Sequence, residues 1–322
     1  MCVRDDISVV ICTYSEDRWD KLCAAVDSVH RQSLASREII LVCDHNPALC
    51  ARARDAFPGV TVVENREPSG LSGARNTGAA LAGGRIVAFL DDDATAHEDW
   101  LKFLGDNYRN ALVMGVGGLT LPHWKTSCPR WLPPEFLWVV GCNYLGMAPS
   151  GAPVRNLIGA NMSFRREAFA LVNAGFVVGI GRSADSRPFG CEETEFCIRL
   201  RQRSPGALLL TDHRAVISHF VPDSRCTFSY FMSRCYAEGV SKARVTENVG
   251  IGDGLSAELS YVTRTLPRGI TRGVADAFRG DVCGLGRATA IVIGLAAAAV
   301  GFLKAKTRRA GVPGQAMQTL VV

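Results

Sequence analysis

The sequence predicts an α/β fold over residues 1–225, with a mostly parallel sheet flanked by helices. A helical, basic region over 226–309 and a flexible tail over 310–322 are expected to follow. Three observations carry that reading. The N-terminal third alternates short β-branched apolar runs with helix-like stretches, the rhythm of strands and helices wound around a parallel sheet. Those apolar runs are nearly continuous, as in strands covered on both faces. Past Pro222 the strand signals stop and helical ones take over, ending in the apolar run 288–303.

In chain order, residues 7–12, 38–43, 60–64 and 85–90 read as strands, and 17–31, 47–57 and 71–82 as helices between them. Ligands of such sheets bind beyond the carboxyl ends of the strands, which singles out residues 13–15, 44–46, 65–67 and 91–93. From 119 to 159 the rhythm fails. Pro122, Pro129, Pro133, Pro134, Pro149 and Pro153 punctuate a stretch that carries Trp124, Trp131, Trp138 and Tyr144, so loop-rich aromatic structure is expected. Regular structure resumes with the apolar run 157–164, a helix at 165–173, a loop at 175–190 and a helix at 192–203. Two short strands near 207–210 and 215–220 follow, then helices at 228–243 and 256–266.

Composition bounds the function. With 48% hydrophobic and 21% charged residues the chain is an ordinary globular protein, neither disordered nor fibrous. The net charge of +5 is unevenly placed: nine Lys/Arg and two Asp between Arg264 and Arg309 give that segment +7 and leave residues 1–263 slightly acidic. A nucleic-acid-binding body is therefore not expected, whereas a locally basic surface is. The twelve cysteines contain no C-x-x-C pair, and several sit in apolar strand-like runs. They read as small core residues in a reducing compartment. The first apolar run, 7–12, is short and preceded by acids, unlike a secretory signal, so a cytosolic site is expected. Residues 288–303, flanked by Arg287 and Lys304, would span about 24 Å as a helix, short of a hydrocarbon core of about 30 Å. A membrane-embedded or re-entrant helix is the preferred reading, with a buried core helix as the alternative.

Three segments carry candidate chemistry. Asp91, Asp92 and Asp93 follow the strand directly. At separations of roughly 5 Å and an effective dielectric near 20, each pair of carboxylates repels by about 3 kcal/mol. A solvated turn relieves this, as does a hard divalent cation shared with phosphate oxygens; the strand-end position, in register with Asp44, favours the cation. Next, Gly70-Leu-Ser-Gly-Ala-Arg-Asn-Thr-Gly78 is a small-residue helix able to approach the sheet closely. Its Arg75 can reach a diphosphate or the aspartates, unless it is purely structural. Finally, Cys191-Glu-Glu-Thr-Glu-Phe-Cys-Ile-Arg-Leu200 opens a helix whose first-turn acids complement the dipole. That dipole would keep Glu193 ionised, as a general base requires.

Together these segments resemble family 2 glycosyltransferases of the GT-A fold, which are Rossmann-like inverting enzymes using nucleotide-diphosphate sugars. Val9-Val-Ile-Cys-Thr-Tyr14 with Gln32 downstream resembles the family's first strand and helix. Asp44 stands where the family binds the nucleotide base, although His45-Asn46 replaces the commoner Asp-Gly. Gly73-Ala-Arg-Asn-Thr-Gly78 matches the Ala-Arg-Asn segment, Asp91-Asp-Asp93 the D-x-D metal motif, and Glu192-Glu193-Thr-Glu195 the Glu-Asp-x-Asp motif with Glu in the base position. His219 falls where some members place a third metal ligand, though a strand-end His is as readily structural. The similarity covers roughly residues 7–220. The Q-x-x-R-W of processive synthases is missing, since Arg234-Cys-Tyr236 lacks both Gln and Trp.

The resemblance implies Mn²⁺ or Mg²⁺ held by Asp91 and Asp93 with His219, and donor contacts from Thr13, Tyr14, Asp44, Arg75 and Asp92. Glu193 is implied as the base, an effect typically worth roughly 10²–10⁴-fold. The donor would be a UDP-sugar. The layout is similar to members extending polyprenyl- or dolichyl-phosphate-linked sugars, glucuronosyl-transferring ones included, so the expected acceptor is a lipid-linked or cell-envelope glycan at the cytoplasmic face of the cell membrane. The aromatic stretch from Trp124 to Tyr144 would shape the acceptor side or pack a lid. A sugar nucleotidyltransferase and a non-enzymatic membrane-associated scaffold are the alternatives; the first would need a Gly-rich loop after the first strand, where Thr13-Tyr-Ser-Glu16 offers none.

Overall fold

A computed structural model describes residues 6–173, 175–181 and 189–310. Residues 182–188 of the expected loop and 311–322 of the expected tail lie outside the described residues. Eight strands form one sheet: β1 (Ile7–Thr13), β2 (Glu38–Cys43), β3 (Thr61–Glu64), β4 (Ile86–Asp91), β5 (Ala94–Ala96), β6 (Val113–Trp124), β7 (Asn161–Arg165) and β8 (Leu208–Val221). Their order is β3-β2-β1-β4-β7-β6-β8-β5. The first four strands are parallel, with α1 (Trp19–His30), α2 (Pro47–Ala56) and α3 (Leu71–Leu81) between them, much as the apolar rhythm predicts.

Four of the seven strand pairings are parallel, as expected, and the antiparallel ones all lie beyond β4: β7 runs against both β4 and β6, β8 is parallel to β6, and β5 is antiparallel to β8. The chain leaves β6 at the end of the sheet where β4 also finishes. It stays there through the aromatic stretch and can only re-enter in the opposite direction as β7. The expected loop from residue 119 is corrected, because β6 continues as strand to Trp124 and pairs with β8 throughout. Pro122 is tolerated because β7 pairs with β6 only at residues 115–117, so the missing N–H falls on an open edge. The two short strands expected near 207–210 and 215–220 are one strand, β8, whose pairing jumps from Asp212 to Val216 opposite consecutive residues of β6. That irregularity is the polar interruption visible in the sequence.

The sheet is covered on both faces. Leu22 and Val26 of α1, Leu49 of α2 and Trp100 and Leu104 of α4 (Trp100–Asn107) fill one side. Ala74 of α3, Phe176, and Phe196 and Leu200 of α6 (Glu192–Arg203) fill the other, with Ala168 of the short α5 (Glu167–Leu171). The predicted close approach of α3 occurs at Gly78, where any Cβ would collide with Val10 of β1.

After the sheet come α7 (Phe228–Val249), α8 (Ile251–Gly254), α9 (Ser256–Ser260), α10 (Leu266–Phe278) and α11 (Cys283–Ala310). A π-helical turn at Tyr261–Thr265 breaks the helix expected at 256–266. Pro267 has no N–H to offer the preceding turn, and a π-bulge absorbs the missing bond. Leu132 and Phe136 from the aromatic stretch pack with Phe231 of α7 and Ile291 and Ala297 of α11 in one cluster, so the helical region is seated on the body. α7 and α11 touch backbone to backbone: a Cβ at Gly239 would strike the Ala298 carbonyl, and one at Gly301 the Tyr236 carbonyl. The apolar helical stretch Cys283–Thr307 is 25 residues long, longer than the sixteen-residue run read from sequence, and the mean hydropathy of its most apolar 18-residue window is 1.9. At 1.5 Å per residue it reaches about 37 Å, enough by length and composition to cross a bilayer, although 33% of its most apolar window is buried against protein.

Candidate active site

The site is made by the curl of the sheet. β4 ends at Asp91 beside Cys12 of β1, and three residues later the chain begins β5 at the sheet's far edge. Ala94 pairs there with His219 of β8, and the Phe220 N–H donates to the Asp93 carbonyl at 2.8 Å. Asp91, Asp93 and His219 each contribute one ligand atom to a set lying within 4.8 Å of one another; His219 Nε2 is 3.1 Å from Asp93 Oδ1. Two carboxylate oxygens and one imidazole nitrogen gathered in this space form a set that could hold a divalent cation.

Asp92 faces the other way. It accepts from Thr13 Oγ1 at 2.8 Å and from Arg18 Nη1 at 2.6 Å. Arg18 also lies 3.3 Å from Asp93 Oδ2, and Arg225 lies 3.5 Å from the same oxygen. The repulsion expected among three adjacent carboxylates is therefore met partly by Arg18, Arg225 and His219 and, at Asp91, by Arg75. Burial pushes the Asp92 carboxyl up to about 6 against the pull of Arg18. Burial acts on Asp93 in the same sense, but His219, Arg18 and Arg225 overcome it and hold that carboxyl far below its ordinary range.

The structure divides the expected donor-binding residues. Thr13 and Asp92 are buried against each other. Tyr14 is exposed, with the Arg18 guanidinium 4.9 Å from its ring centre. Asp44 accepts from Asn65 Nδ2 at 2.6 Å, the Gly70 N–H at 2.8 Å and Ser69 Oγ at 3.2 Å. Arg75, only 2% exposed, donates to Glu192 Oε1 (2.8 Å), Asp91 Oδ1 (3.3 Å) and the Gly159 carbonyl (3.0 Å). It thus reaches the first of the three aspartates and clamps β4 to the start of α6.

At that start Cys191 adopts a left-handed backbone (φ 75°) and its thiol donates to Glu238 Oε1 of α7 at 3.2 Å. Glu193 follows in the first turn, half-buried, its carboxyl set into a cavity of about 560 Å³. The helix dipole is opposed at Glu193: burial, with the charge of Glu192 added and that of Arg75 countering, raises its carboxyl to about 7. Arg75, Asp91 and His219 line the same cavity, as do Trp138 and Tyr144, while Leu295, Ala298 and Phe302 of α11 form an apolar wall. Trp131 instead packs edge-on against Phe228 and Phe231, so the aromatic stretch serves partly as wall and partly as packing. The arrangement places a cation site and a carboxylate of near-neutral pKa on one cavity, which suits activation of a hydroxyl beside a phosphate-bearing group.

Residues 8–171 match the profile of glycosyl transferase family 2. The chain belongs to that family. It is 35% identical over 240 residues to the glucosyl-dolichyl phosphate glucuronosyltransferase of Haloferax volcanii, covering 73% of this chain and 76% of that protein. It is 25% identical over 252 residues to the succinoglycan biosynthesis protein ExoM of Rhizobium meliloti, covering 74% of each. The fold is GT-A. A mannosyltransferase from Pyrobaculum calidifontis, solved with GDP-Man and Mn²⁺, superposes with a TM-score of 0.56 at 17% identity over 92% of this chain and 87% of that one. GalNAc-T7, solved with UDP, GalNAc and Mn²⁺, gives 0.51 at 17% identity over 75% and 49%. Membership of a family of glycosyltransferases sets aside the nucleotidyltransferase and scaffold alternatives.

For a family 2 glycosyltransferase, the residues that sequence reasoning missed here are cations: Arg18 and Arg225 beside the aspartates, and Arg155, Arg234 and Lys242 in the cavity wall. One signal was available. Arg234, Glu238 and Lys242 recur at four-residue spacing, an ion-pair ladder on one helix face. Arg18 and Arg225 carry no comparable local mark.

Proposed function

We propose that this family 2 glycosyltransferase is a metal-dependent inverting enzyme. It moves a sugar from a UDP-sugar to a hydroxyl of a sugar carried on a polyprenyl- or dolichyl-phosphate lipid at the cytoplasmic face of the membrane. The observation that carries this reading is that one cavity is lined by Asp91, His219 and Glu193 and walled by the apolar helix α11. The glucosyl-dolichyl phosphate glucuronosyltransferase activity of the Haloferax volcanii relative supports the acceptor class and makes a glucuronosyl donor the first to test.

In this reading Asp91, Asp93 and His219 would hold Mn²⁺ or Mg²⁺. Bound there, the ion supplies positive charge to the departing nucleoside diphosphate. Tyr14 and Asp44, at the carboxyl ends of β1 and β2, hold the nucleoside, while Thr13 and Asp92 brace that end of the sheet. Arg75 fixes Asp91 relative to Glu192. Glu193 takes the proton from the acceptor hydroxyl as the oxygen attacks the anomeric carbon opposite the leaving group, so the configuration inverts. Membrane association is supported by Phe278 and Val282, 87% and 73% exposed at the turn between α10 and α11.

The test is Glu193→Gln. The variant is expected to bind UDP-sugar and Mn²⁺ as the parent does and to lose transfer by roughly 10²–10⁴-fold. Turnover at the parental rate would remove Glu193 as the base.

A further inference from the structure

The cavity wall next to α6 carries a charged group that the transfer chemistry does not use. Arg155 donates to both oxygens of Glu258, at 2.6 and 2.9 Å. Lys242 Nζ lies 2.7 Å from Glu258 and 3.7 Å from Glu238. Arg234 Nη1 donates to Glu238 at 2.9 Å. All five side chains line the cavity; within this group three cations share two carboxylates, while the cavity's other acids, Asp91, Glu192 and Glu193, act on Arg75. Removing ions from water costs several kcal/mol each, and a surplus charge so placed is stabilised by an anion entering from the cavity.

A second observation concerns Arg234. The Arg234 side chain is 9% exposed, its guanidinium lies 5.5 Å from the Trp138 ring centre, and its buried Nε has no hydrogen-bond partner. A buried guanidinium N–H left unpaired is costly, and the planar fork of arginine matches two oxygens of a phosphate. Apolar residues continue from this point. Ala298, Phe302 and Leu303 of α11 line the same cavity, and Leu303 is 62% exposed, so the apolar wall runs from the interior to the outer surface. A cationic edge at the inner end of an apolar track fits a phosphate on a long hydrocarbon chain. Free phosphate would have no use for the track.

We infer that Arg234, with Lys242 and Arg155 behind it, forms the subsite for the phosphate of the lipid-linked acceptor, and that α11 is the track for its hydrocarbon. The inference rests on the acceptor reading given above and assigns its recognition to named residues. It is tested with the full chain in amphipol, without divalent cations, by measuring binding of dodecyl phosphate, dodecyl β-glucoside and inorganic phosphate. Dodecyl phosphate is expected to bind at least about tenfold tighter than either of the others, Arg234→Gln to abolish that preference, and Arg234→Lys, which keeps the charge without the planar fork, to keep only part of it. Equal binding of the two dodecyl compounds overturns the subsite, as does a preference that survives Arg234→Gln. Inorganic phosphate binding as tightly as dodecyl phosphate overturns the lipid track. Should Arg234→Gln fail to fold, the comparison of ligands on the parent protein decides alone. Because no turnover is read, these outcomes leave the transferase reading standing or falling on Glu193→Gln.

Discussion

At the scale of single residues, the pH dependence of Glu193 is the most direct check on the chemistry. A base must be ionised to act, and burial raises this carboxyl to about 7. Activity is therefore expected to be full above that value and to fall about tenfold per unit as pH drops below it, a limb readable in kcat/KM and absent from the residual rate of Glu193→Gln. Asp93 and His219 are checked by metal binding. Asp93→Ala and His219→Ala are each expected to weaken Mn²⁺ by more than about tenfold in calorimetry, since even groups that only support ligands are worth that much. Binding at parental affinity would exclude them as ligands. The types and order of Asp91, Asp93, Glu193 and His219 were legible in the sequence because each sits at a recognisable strand end or helix start. The cations that hold them were not. Arg18 and Arg225 lie 74 and 132 residues from the aspartates they contact, and no local pattern reports such a pairing.

At the scale of elements, the contact between α7 and α11 joins the helical region to the cavity. Gly239→Val places a branched side chain where the Ala298 carbonyl stands. Overpacking of this kind costs typically about 1–3 kcal/mol, so the thermal midpoint should fall and the KM for a lipid-linked acceptor should rise with α11 displaced; an unchanged midpoint would mean that the helices do not pack this closely. The legible elements were those whose apolar pattern agrees with their surroundings. Strand β2 and helix α6 run from Glu38 to Cys43 and from Glu192 to Arg203, the bounds their patterning predicts. β6 past residue 119 and the continuity of β8 were hidden, because pairing between two strands overrides a proline in one and a polar interruption in the other. The π turn at Tyr261–Thr265 was hidden too, since its cause, Pro267, lies just beyond it.

At the scale of the molecule, the basic C-terminal segment behaves differently from its simple charge. Arg272 pairs with Glu135, and Arg279 and Arg287 with Asp276, so part of the +7 is used within the protein. Arg264, Arg268, Lys304 and Lys306 make no ion pair among the described residues and stay available to an anionic leaflet, at about 1 kcal/mol each near the surface. Deleting residues 264–322 would remove the wall of the cavity along with any membrane contact, because α11 lines it. Serine at Phe278, Val282 and Leu285 is the sharper test, since these side chains are exposed. Full burial of each is worth about 1.5–3 kcal/mol, so binding to anionic vesicles should weaken by roughly 10²-fold or more with the fold retained. Vesicle binding that survives all three changes would place the contact elsewhere. By itself, the sequence determined the α/β rhythm, the order of the chemical motifs, the family, and the split between an acidic body and a basic, apolar end; these are local periodicities and compositions, which a chain carries before it folds. Only the tertiary structure decided that the sheet curls to set Asp93 against His219, that arginines share the work of holding the aspartates, and that Glu193 sits near neutral pKa. Each of these depends on what surrounds a group in space, and burial and charge pairing exist only once distant segments have met.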